Sequence, residues 1–196
     1  MKPVIIFDFF GVFCTSIATD WFKKNVSTAS NDLKAFQALC TRSDYGKLTR
    51  AEFNQEVSVM TGIAVPDIIT GIEAETHIDT SLVSYVRQLQ AKGYRIACLS
   101  NGTREWTLRV IIDHDLGDLF EQVVLSGDLG IVKPSPGIYT RTLEILRISA
   151  AEAIFVDDRK TNVDAAIDCG MRGILFTNTP TFEQEFERIE SAFSAT

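Results

Sequence analysis

Polar residues that could do chemistry follow four apolar runs in the sequence. The first is Asp8, which comes at the end of the run from Pro3 and is followed by Phe-Phe-Gly11. A carboxylate at the carboxyl end of a parallel strand faces the crevice where ligands bind. An Asp followed closely by Gly also commonly forms a turn, in which the local backbone donates hydrogen bonds to the carboxylate. Taken alone, Asp8 leaves both roles open.

The second segment, Ser100-Asn101-Gly102-Thr103, follows the apolar run that begins at Tyr94. A hydroxyl group and successive backbone N–H groups are suited to holding phosphate oxygens. The same residue types also form ordinary turns between a strand and a helix. Ser100 and Asn101 are therefore candidate anion-binding residues, with a plain turn as the alternative.

The third segment, Lys133-Pro-Ser-Pro136, presents a cation from a loop whose backbone is restricted by two prolines. Most surface lysines are merely solvated, and this is the alternative role for Lys133. A fixed lysine matters chemically because a carboxylate nucleophile and a phosphorylated substrate together carry several negative charges that must be offset.

The fourth segment is the pair Asp157-Asp158, which ends the apolar run from Ala153 and is followed by Asn162. Adjacent carboxylates in a crevice of low dielectric repel each other, so a bound divalent cation stabilises them. Ligands that are all oxygen favour Mg²⁺ over zinc. One of the two carboxylates is also placed to cap the following helix, and we expect the pair to divide these roles.

The elements that must position these residues alternate along the chain. Apolar runs typical of buried parallel strands cover residues 3–10, 94–100, 122–126, 153–157 and 173–176. Helical patterns cover residues 81–92, 104–113, 136–147 and 162–169. This alternation predicts an α/β fold with a doubly wound parallel sheet. Ligands gather at the carboxyl ends of the strands in such a sheet, where the four segments lie.

One stretch, residues 14–78, does not alternate. Its helical patterns cover residues 32–41, 50–60 and 66–75, without a convincing strand. We predict that residues 14–78 form an inserted helical cap and that residues 1–13 and 79–196 form the α/β core. A chain of 196 residues is long enough for one core with an insertion but short for two domains of ordinary size.

The composition argues against several classes of partner. A formal net charge of -7 speaks against nucleic acid or an anionic membrane, because such surfaces recruit Lys and Arg. The apolar segment 4–12 contains Asp8 and is too short to cross a bilayer, so we expect a cytoplasmic protein. The scattered cysteines have no spacing typical of a metal site, which predicts buried free thiols. The oligomeric state has no signature in the sequence.

In this order and at these strand ends, the four segments resemble the motifs of the haloacid dehalogenase superfamily over residues 7 to about 170. The insertion is similar to the first type of cap in that superfamily, and the Asp-Asp ending of the fourth motif is similar to its phosphatases. The resemblance implies that Asp8 attacks phosphorus and forms an aspartyl-phosphate, which water then hydrolyses. It also implies a small phosphorylated metabolite as the substrate.

The resemblance assigns roles to the other motif residues as well. It implies that Ser100, Asn101 and the adjoining amides bind the transferring phosphoryl group, and that Lys133 pairs with Asp8 and with phosphate oxygens. Mg²⁺ is implied to be held, directly or through water, by Asp8, the main-chain carbonyl of Phe10, Asp157 and Asp158.

Phe10 departs from the pattern of the superfamily. Its phosphatases usually carry a second Asp two residues after the nucleophile, which protonates the leaving group and later activates water. A positioned acid or base contributes about 10²- to 10⁴-fold in rate. Three consequences are open: a good leaving group, as in an acyl phosphate or a sugar that carries its phosphate on the anomeric carbon; an acid from another residue or the substrate; or a protein that binds without turnover.

Other functions compete with a phosphatase. Haloacid dehalogenases carry an aromatic residue at the position of Phe10 and attack carbon, but they work without a metal, whereas Asp157 and Asp158 supply the negative charge that a metal needs. A phosphonate-cleaving enzyme needs a cap lysine that forms a Schiff base. The insertion contains three candidate lysines for this role, although lysines on such helices are usually just exposed to solvent: Lys23, Lys24 and Lys34. A binding protein without catalytic activity is supported by Phe10 alone.

Overall fold

The strands and helices of the chain alternate as predicted. The computed structural model describes residues 2–15 and 17–194. The strands are β1 (Val4–Phe7), β2 (Arg95–Ser100), β3 (Gln122–Leu125), β4 (Ala153–Asp157) and β5 (Arg172–Leu175). The α-helices are α1 (Ile17–Asn25), α2 (Ser30–Asp44), α3 (Arg50–Thr61), α4 (Val65–Ala74), α5 (Thr80–Ala91), α6 (Arg104–Asp113), α7 (Ser126–Leu129), α8 (Pro136–Leu146), α9 (Lys160–Asp168) and α10 (Thr179–Ser194). The termini and one residue of the predicted insertion lie outside the described residues: Met1, Ser16, Ala195 and Thr196.

The five strands form one parallel sheet in the order β3-β2-β1-β4-β5. Successive side chains of a strand point to opposite faces. Ile5 and Phe7 of β1 accordingly belong to one apolar cluster, together with residues of α5, α6 and α10. Val4 and Ile6 belong to a second cluster with residues of α8 and α9. A parallel sheet covered by helices on both faces confirms the predicted doubly wound α/β fold.

Helices α1 to α4 lie between β1 and α5 and contact one another. The sequence pattern predicted α2, α3 and α4 but missed α1. Within this group Phe22 stacks on Phe36 with ring centroids 4.2 Å apart. Buried side chains of the four helices join the apolar cluster on one face of the sheet. The division into a core over 1–13 and 79–196 and a cap over 14–78 stays a prediction.

Helices α3 and α4 meet at a bend of 103°. At the start of α3, the Thr49 hydroxyl accepts a hydrogen bond from the Glu52 N–H, and the Glu52 carboxylate accepts one from the Thr49 N–H. Gly62 ends the helix with φ of +72°, a conformation that favours glycine, and Pro66 lies in the first turn of α4. Among the described residues no single helix is long and apolar enough to cross a membrane. Helices α3 and α4 reach that length and apolar composition only when they are taken together.

Candidate active site

Three adjacent strands bring the predicted site residues to one edge of the sheet. β1 lies between β2 and β4, and Phe7 is opposite Cys98 on one side and Val156 on the other. Asp8 therefore leaves the sheet beside the carboxyl ends of both neighbouring strands. A cavity of ≈ 700 Å³ opens at this edge, between the strand ends and helices α1 to α4.

Lys133 is the buried cation of this site. Its side chain is 1% exposed, and its Nζ lies 2.8 Å from Asp8 Oδ1 and 2.7 Å from Asp157 Oδ2. The same Nζ donates to the Leu99 carbonyl at 3.0 Å. An ammonium group has three N–H donors, so these contacts use all of them. Lys133 thus joins the carboxylates of the first and fourth motifs.

Burial and charge act on the pKa values of this group in opposite directions. Burial raises the pKa of Asp8 to about 7, although the charge of Lys133 lowers it. Burial disfavours the charged form of Lys133, but the charges of Asp8 and Asp157 outweigh this effect and hold its pKa above the usual range. Two carboxylates around one ammonium group leave a net negative charge in a buried place, which a bound cation offsets.

Asp157 is held by hydrogen bonds at both carboxylate oxygens. Oδ1 accepts from the Arg159 N–H at 2.8 Å and from Asn162 Nδ2 at 3.0 Å. Oδ2 accepts from Lys133 at 2.7 Å and from Asn162 Nδ2 at 3.0 Å. A carboxylate has about four lone-pair directions, so these contacts leave Asp157 little capacity for a direct metal bond. Asn162, to which the sequence analysis gave no role in the site, is the residue that positions this carboxylate.

The two carboxylates of the fourth motif have different surroundings. Asp157 is buried and accepts a hydrogen bond at the start of α9, whereas Asp158 is exposed at the cavity. Partial desolvation and the charge of Asp157 raise the pKa of Asp158 above its usual value. A nearby cation would stabilise the charged form of Asp158.

The predicted metal ligands fit Mg²⁺. Carboxylate oxygens of Asp8, Asp157 and Asp158 all lie within 4.8 Å of one another. The Phe10 carbonyl accepts no hydrogen bond from the described residues. Clustered oxygen donors with several negative charges form the kind of ligand set that Mg²⁺ prefers. The assignment of these residues as metal ligands stays a prediction.

Ser100, the last residue of β2, carries a buried hydroxyl group. Ser100 Oγ is buried and has no hydrogen-bond partner among the described residues. The Asn101 side chain instead holds the Lys133 backbone, because Nδ2 donates to the Lys133 carbonyl at 3.1 Å and Oδ1 accepts from its N–H at 2.9 Å. The Gly102 N–H donates to Ser126 Oγ at 3.0 Å. Of the side chains predicted to hold phosphate, the Ser100 hydroxyl is therefore the one that a phosphoryl oxygen would satisfy.

Phe10 lines the cavity where phosphatases of the superfamily usually carry an acid. Its ring packs edge-on against Phe9, with centroids 5.1 Å apart. A Cβ atom on Gly102 would lie 3.6 Å from the Phe10 ring, so the aromatic group also covers the segment after β2. Position 10 supplies neither a proton donor nor a base.

The helical side of the cavity carries charged residues that the sequence analysis did not select. Asp44 ends α2, and burial raises its pKa to about 6, although the charges of Lys133 and Arg159 lower it. The Arg50 guanidinium lies over the Trp106 ring, 4.5 Å from its centroid. No local sequence signal marks these residues, because only packing of the helices onto the sheet brings them to the site.

The lysines considered for a Schiff base do not have the required surroundings. Lys24 pairs with Glu75, and Lys34 is exposed away from the cavity. Lys23 lines the cavity, but its side chain is 48% exposed and lies 3.5 Å from Asp20. Schiff-base chemistry needs a neutral amine, which burial or a neighbouring cation favours. The geometry does not support the phosphonate-cleaving alternative.

Comparison with known proteins decides the family. The sequence model described as haloacid dehalogenase-like hydrolase matches residues 2–170. The chain belongs to the haloacid dehalogenase-like hydrolases. Family membership confirms the predicted superfamily and the prediction that the protein is an enzyme.

Three curated relatives each match a part of this haloacid dehalogenase-like hydrolase. Bifunctional epoxide hydrolase 2 from Mus musculus is 27% identical over 131 residues, which are 64% of this chain and 24% of that protein. Glyceraldehyde 3-phosphate phosphatase from Pyrococcus abyssi is 30% identical over 90 residues, 45% of this chain and 38% of that protein. Sesquiterpene phosphatase astK from Aspergillus oryzae is 33% identical over 101 residues, 52% of each chain. The chain thus spans about a quarter to about half of the length of these relatives.

Solved structures of the family share the fold. The HAD family enzyme BT-2542 from Bacteroides thetaiotaomicron, in complex with magnesium and inorganic phosphate, matches with a TM-score of 0.75 at 21% identity, over 90% of this chain and 95% of that one. The L-2-haloacid dehalogenase RSc1362 matches with a TM-score of 0.65 at 15% identity, over 88% of this chain and 85% of that one. Because enzymes of different chemistry share this fold, the reaction has to be argued from the residues of the site.

Proposed function

We propose that this hydrolase removes phosphate from a small phosphorylated metabolite, in a reaction that depends on Mg²⁺ and proceeds through an aspartyl-phosphate on Asp8. The observation that carries the proposal is the buried contact of Lys133 with Asp8 and Asp157, beside the third carboxylate of Asp158. A metal ion and a phosphoryl group have complementary charges for such a place. Two of the relatives are named as phosphatases, which supports the same chemistry.

Asp8 supplies the nucleophilic oxygen. Its Oδ1 accepts a hydrogen bond from the Phe9 N–H at 2.6 Å and lies 2.8 Å from Lys133 Nζ. Its Oδ2 accepts no hydrogen bond from the described part of the chain. The first two contacts orient the carboxylate, so Oδ2 is the oxygen that attacks phosphorus. The bond from phosphorus to the leaving-group oxygen breaks as the bond to Asp8 forms, and water later cleaves the aspartyl-phosphate.

We expect the transferring phosphoryl group to be held from the end of β2 and from the loop before α8. The Ser100 hydroxyl donates to one phosphoryl oxygen, and Lys133 offsets the charge that the group brings. Bound Mg²⁺ would neutralise further phosphoryl charge, with Asp158 and Asp8 as carboxylate ligands and the Phe10 carbonyl as a neutral one. Asp157 would contact the ion through water, because its oxygens already accept hydrogen bonds from the protein.

The cavity defines the class of substrate. Its volume of ≈ 700 Å³ suits a metabolite rather than a macromolecule. The Arg50 guanidinium and the Trp106 ring at its wall offer hydrogen bonds and an aromatic surface to the part of the substrate beyond the phosphate. A sugar phosphate matches this combination of polar and aromatic groups.

The test is release of inorganic phosphate from a panel of sugar, nucleotide and acyl phosphates, with and without Mg²⁺. We expect Mg²⁺-dependent release that Asp8→Asn abolishes, since this change removes the nucleophile without opening a cavity. The matched control is Asp164→Asn, which removes an exposed carboxylate that pairs with Lys160 on α9. Release that is equal in Asp8→Asn and in the native chain would contradict the mechanism.

The dehalogenase alternative is measured in the same experiment. If the panel yields no phosphate from folded protein, halide release from 2-haloacids without a metal becomes the decisive assay, because Phe10 is an aromatic residue at the relevant position. Halide release that Asp8→Asn abolishes would replace the proposed function. If neither phosphate nor halide is released, the remaining alternative is a protein that binds its ligand without turnover.

A further inference from the structure

Asp44 is joined to the phosphate-binding segment through a single side chain. Ser126 Oγ donates to the Asp44 carbonyl at 2.6 Å and accepts from the Gly102 N–H at 3.0 Å. Gly102 follows Ser100 by two residues, in the segment that is proposed to hold the phosphoryl group. The end of α2 therefore has a fixed position relative to this segment.

Two glycines bring the backbones together at the same place. A Cβ atom on Gly46 would lie 2.2 Å from the Gly127 carbonyl oxygen, and Gly46 has φ of +70°. A Cβ atom on Gly127 would in turn lie 3.0 Å from the Gly102 carbonyl oxygen. Side chains larger than hydrogen would push α2 away from the sheet edge. This close approach sets the position from which Asp44 lines the cavity.

The Asp44 carboxylate has no hydrogen-bond donor among the described residues, although most of its surroundings are protein. Burial raises its pKa to about 6, and the positive charges of Lys133 and Arg159 act on this pKa in the opposite direction. The Cys40 thiol beside it stays neutral, because burial and the charge of Asp44 raise its pKa to about 12. The other ionisable side chains that line the cavity are Asp8, Asp20, Lys23, Arg50 and Asp158. A carboxyl group without a protein partner is free to exchange a proton with a substrate.

We propose that Asp44 is the general acid and base that position 10 lacks. In the first step the Asp44 carboxyl donates its proton to the leaving-group oxygen as the bond from that oxygen to phosphorus breaks. In the second step the Asp44 carboxylate takes a proton from the water that attacks the aspartyl-phosphate, which restores the acid and releases phosphate and free Asp8. This assignment rests on the proposed phosphatase function.

Asp44 and Phe10 enter the cavity from different parts of the chain. Phe10 lies in the turn after β1, where the superfamily phosphatases usually carry the acid, whereas Asp44 comes from the end of α2, beside the segment after β2. Both residues line the cavity that Asp8 also lines, and the leaving group occupies this cavity once Asp8 has attacked.

The test compares leaving groups of different basicity in Asp44→Asn. A 4-nitrophenolate leaving group departs without protonation, but the alkoxide of glycerol phosphate requires it. We expect single-turnover cleavage of glycerol phosphate to slow by about 10²- to 10⁴-fold, and the first cleavage of 4-nitrophenyl phosphate to change little. The second step still needs the base, so 4-nitrophenolate should appear as a burst of about one equivalent, followed by slow turnover.

The control is Asp164→Asn, which makes the same change at an exposed carboxylate outside the cavity and should leave both rates unchanged. Asp44→Asn keeps the main-chain carbonyl that Ser126 contacts, and thermal unfolding checks that it folds. Equal slowing of both substrates, or no slowing of either, would overturn the role of Asp44 and leave the phosphatase function intact. Absence of phosphate release from the native chain would overturn both proposals.

Discussion

Gly11 and Asp158 are in contact: a Cβ atom on Gly11 would lie 2.5 Å from the Cγ atom of Asp158. Gly11 also has φ of +94°, a conformation that L side chains rarely adopt. The turn after β1 thus requires glycine for its backbone conformation and for the space that the Asp158 carboxylate fills. The first and fourth motifs meet at this point.

Gly11→Ala is expected to weaken Mg²⁺ binding by about 10- to 100-fold, because the new methyl group displaces the Asp158 carboxylate. Isothermal titration with Mg²⁺ measures this loss. Gly93→Ala is the matched control, since Gly93 has φ of +85° but a Cβ atom there meets nothing within 4 Å. Both variants should lose about 1–2 kcal/mol of unfolding free energy through backbone strain. Unchanged Mg²⁺ affinity in Gly11→Ala would contradict the predicted role of Asp158.

Ser100→Ala is expected to lower kcat/KM by about 10²-fold with little change in unfolding free energy, because the buried hydroxyl has no partner to lose. Ser126→Ala is the contrast. It removes the hydroxyl that contacts the Asp44 carbonyl and the Gly102 N–H, which should cost about 1–3 kcal/mol of unfolding free energy. Urea denaturation and steady-state kinetics measure both effects. An equally large loss of stability in Ser100→Ala would argue against a ligand-binding role for its hydroxyl.

Asp44→Asn is expected to stabilise the folded protein at neutral pH while it impairs catalysis. Burial raises the folded-state pKa of Asp44 from 3.8 to about 6, so between these values the folded state keeps a proton that the unfolded state has lost. The stability of the native chain therefore falls as pH rises through this window, and Asn does not share this loss. The shift corresponds to at most about 3 kcal/mol at pH 8.

Urea denaturation of both proteins from pH 4 to pH 8 measures that difference. The two curves should approach each other toward the acidic end, because Asp44 begins to be protonated in the unfolded state as well when the pH nears 3.8. Asp164→Asn serves as the control for loss of an exposed carboxylate. A difference that does not depend on pH would mean that the Asp44 carboxyl is solvated in the folded protein.

Phe10→Asp in the Asp44→Asn background is expected to restore turnover of glycerol phosphate by about 10²-fold, because it places an acid where related phosphatases carry one. Phe10→Asn in the same background is the control, since it loses the same packing against Phe9 without gaining an acid. Phosphate release and thermal unfolding are measured for both variants. Equal rates in the two double variants would show that an acid at position 10 does not reach the leaving group.

The motif residues could be predicted because each lies beside a local signal. Buried parallel strands are continuous apolar runs, so the ends of β1, β2 and β4, and with them Asp8, Ser100 and Asp157, could be located without a structure. The helix α1 was missed, and its Trp21 and Phe22 are buried by neighbours that the local pattern does not show. Asn101 was predicted to bind the phosphoryl group, but its side chain holds the Lys133 backbone.

The sequence by itself determined the α/β sheet, the family and the order of the motifs, because apolar periodicity and short motifs depend on neighbouring residues. Only the tertiary structure decided which groups surround each carboxylate of the site. Asn162 and Lys133 occupy the oxygens of Asp157, and Gly11 makes room for Asp158. The position of Asp44 depends on the packing of α2 against the sheet edge, and such long-range contacts leave no periodic trace in the chain.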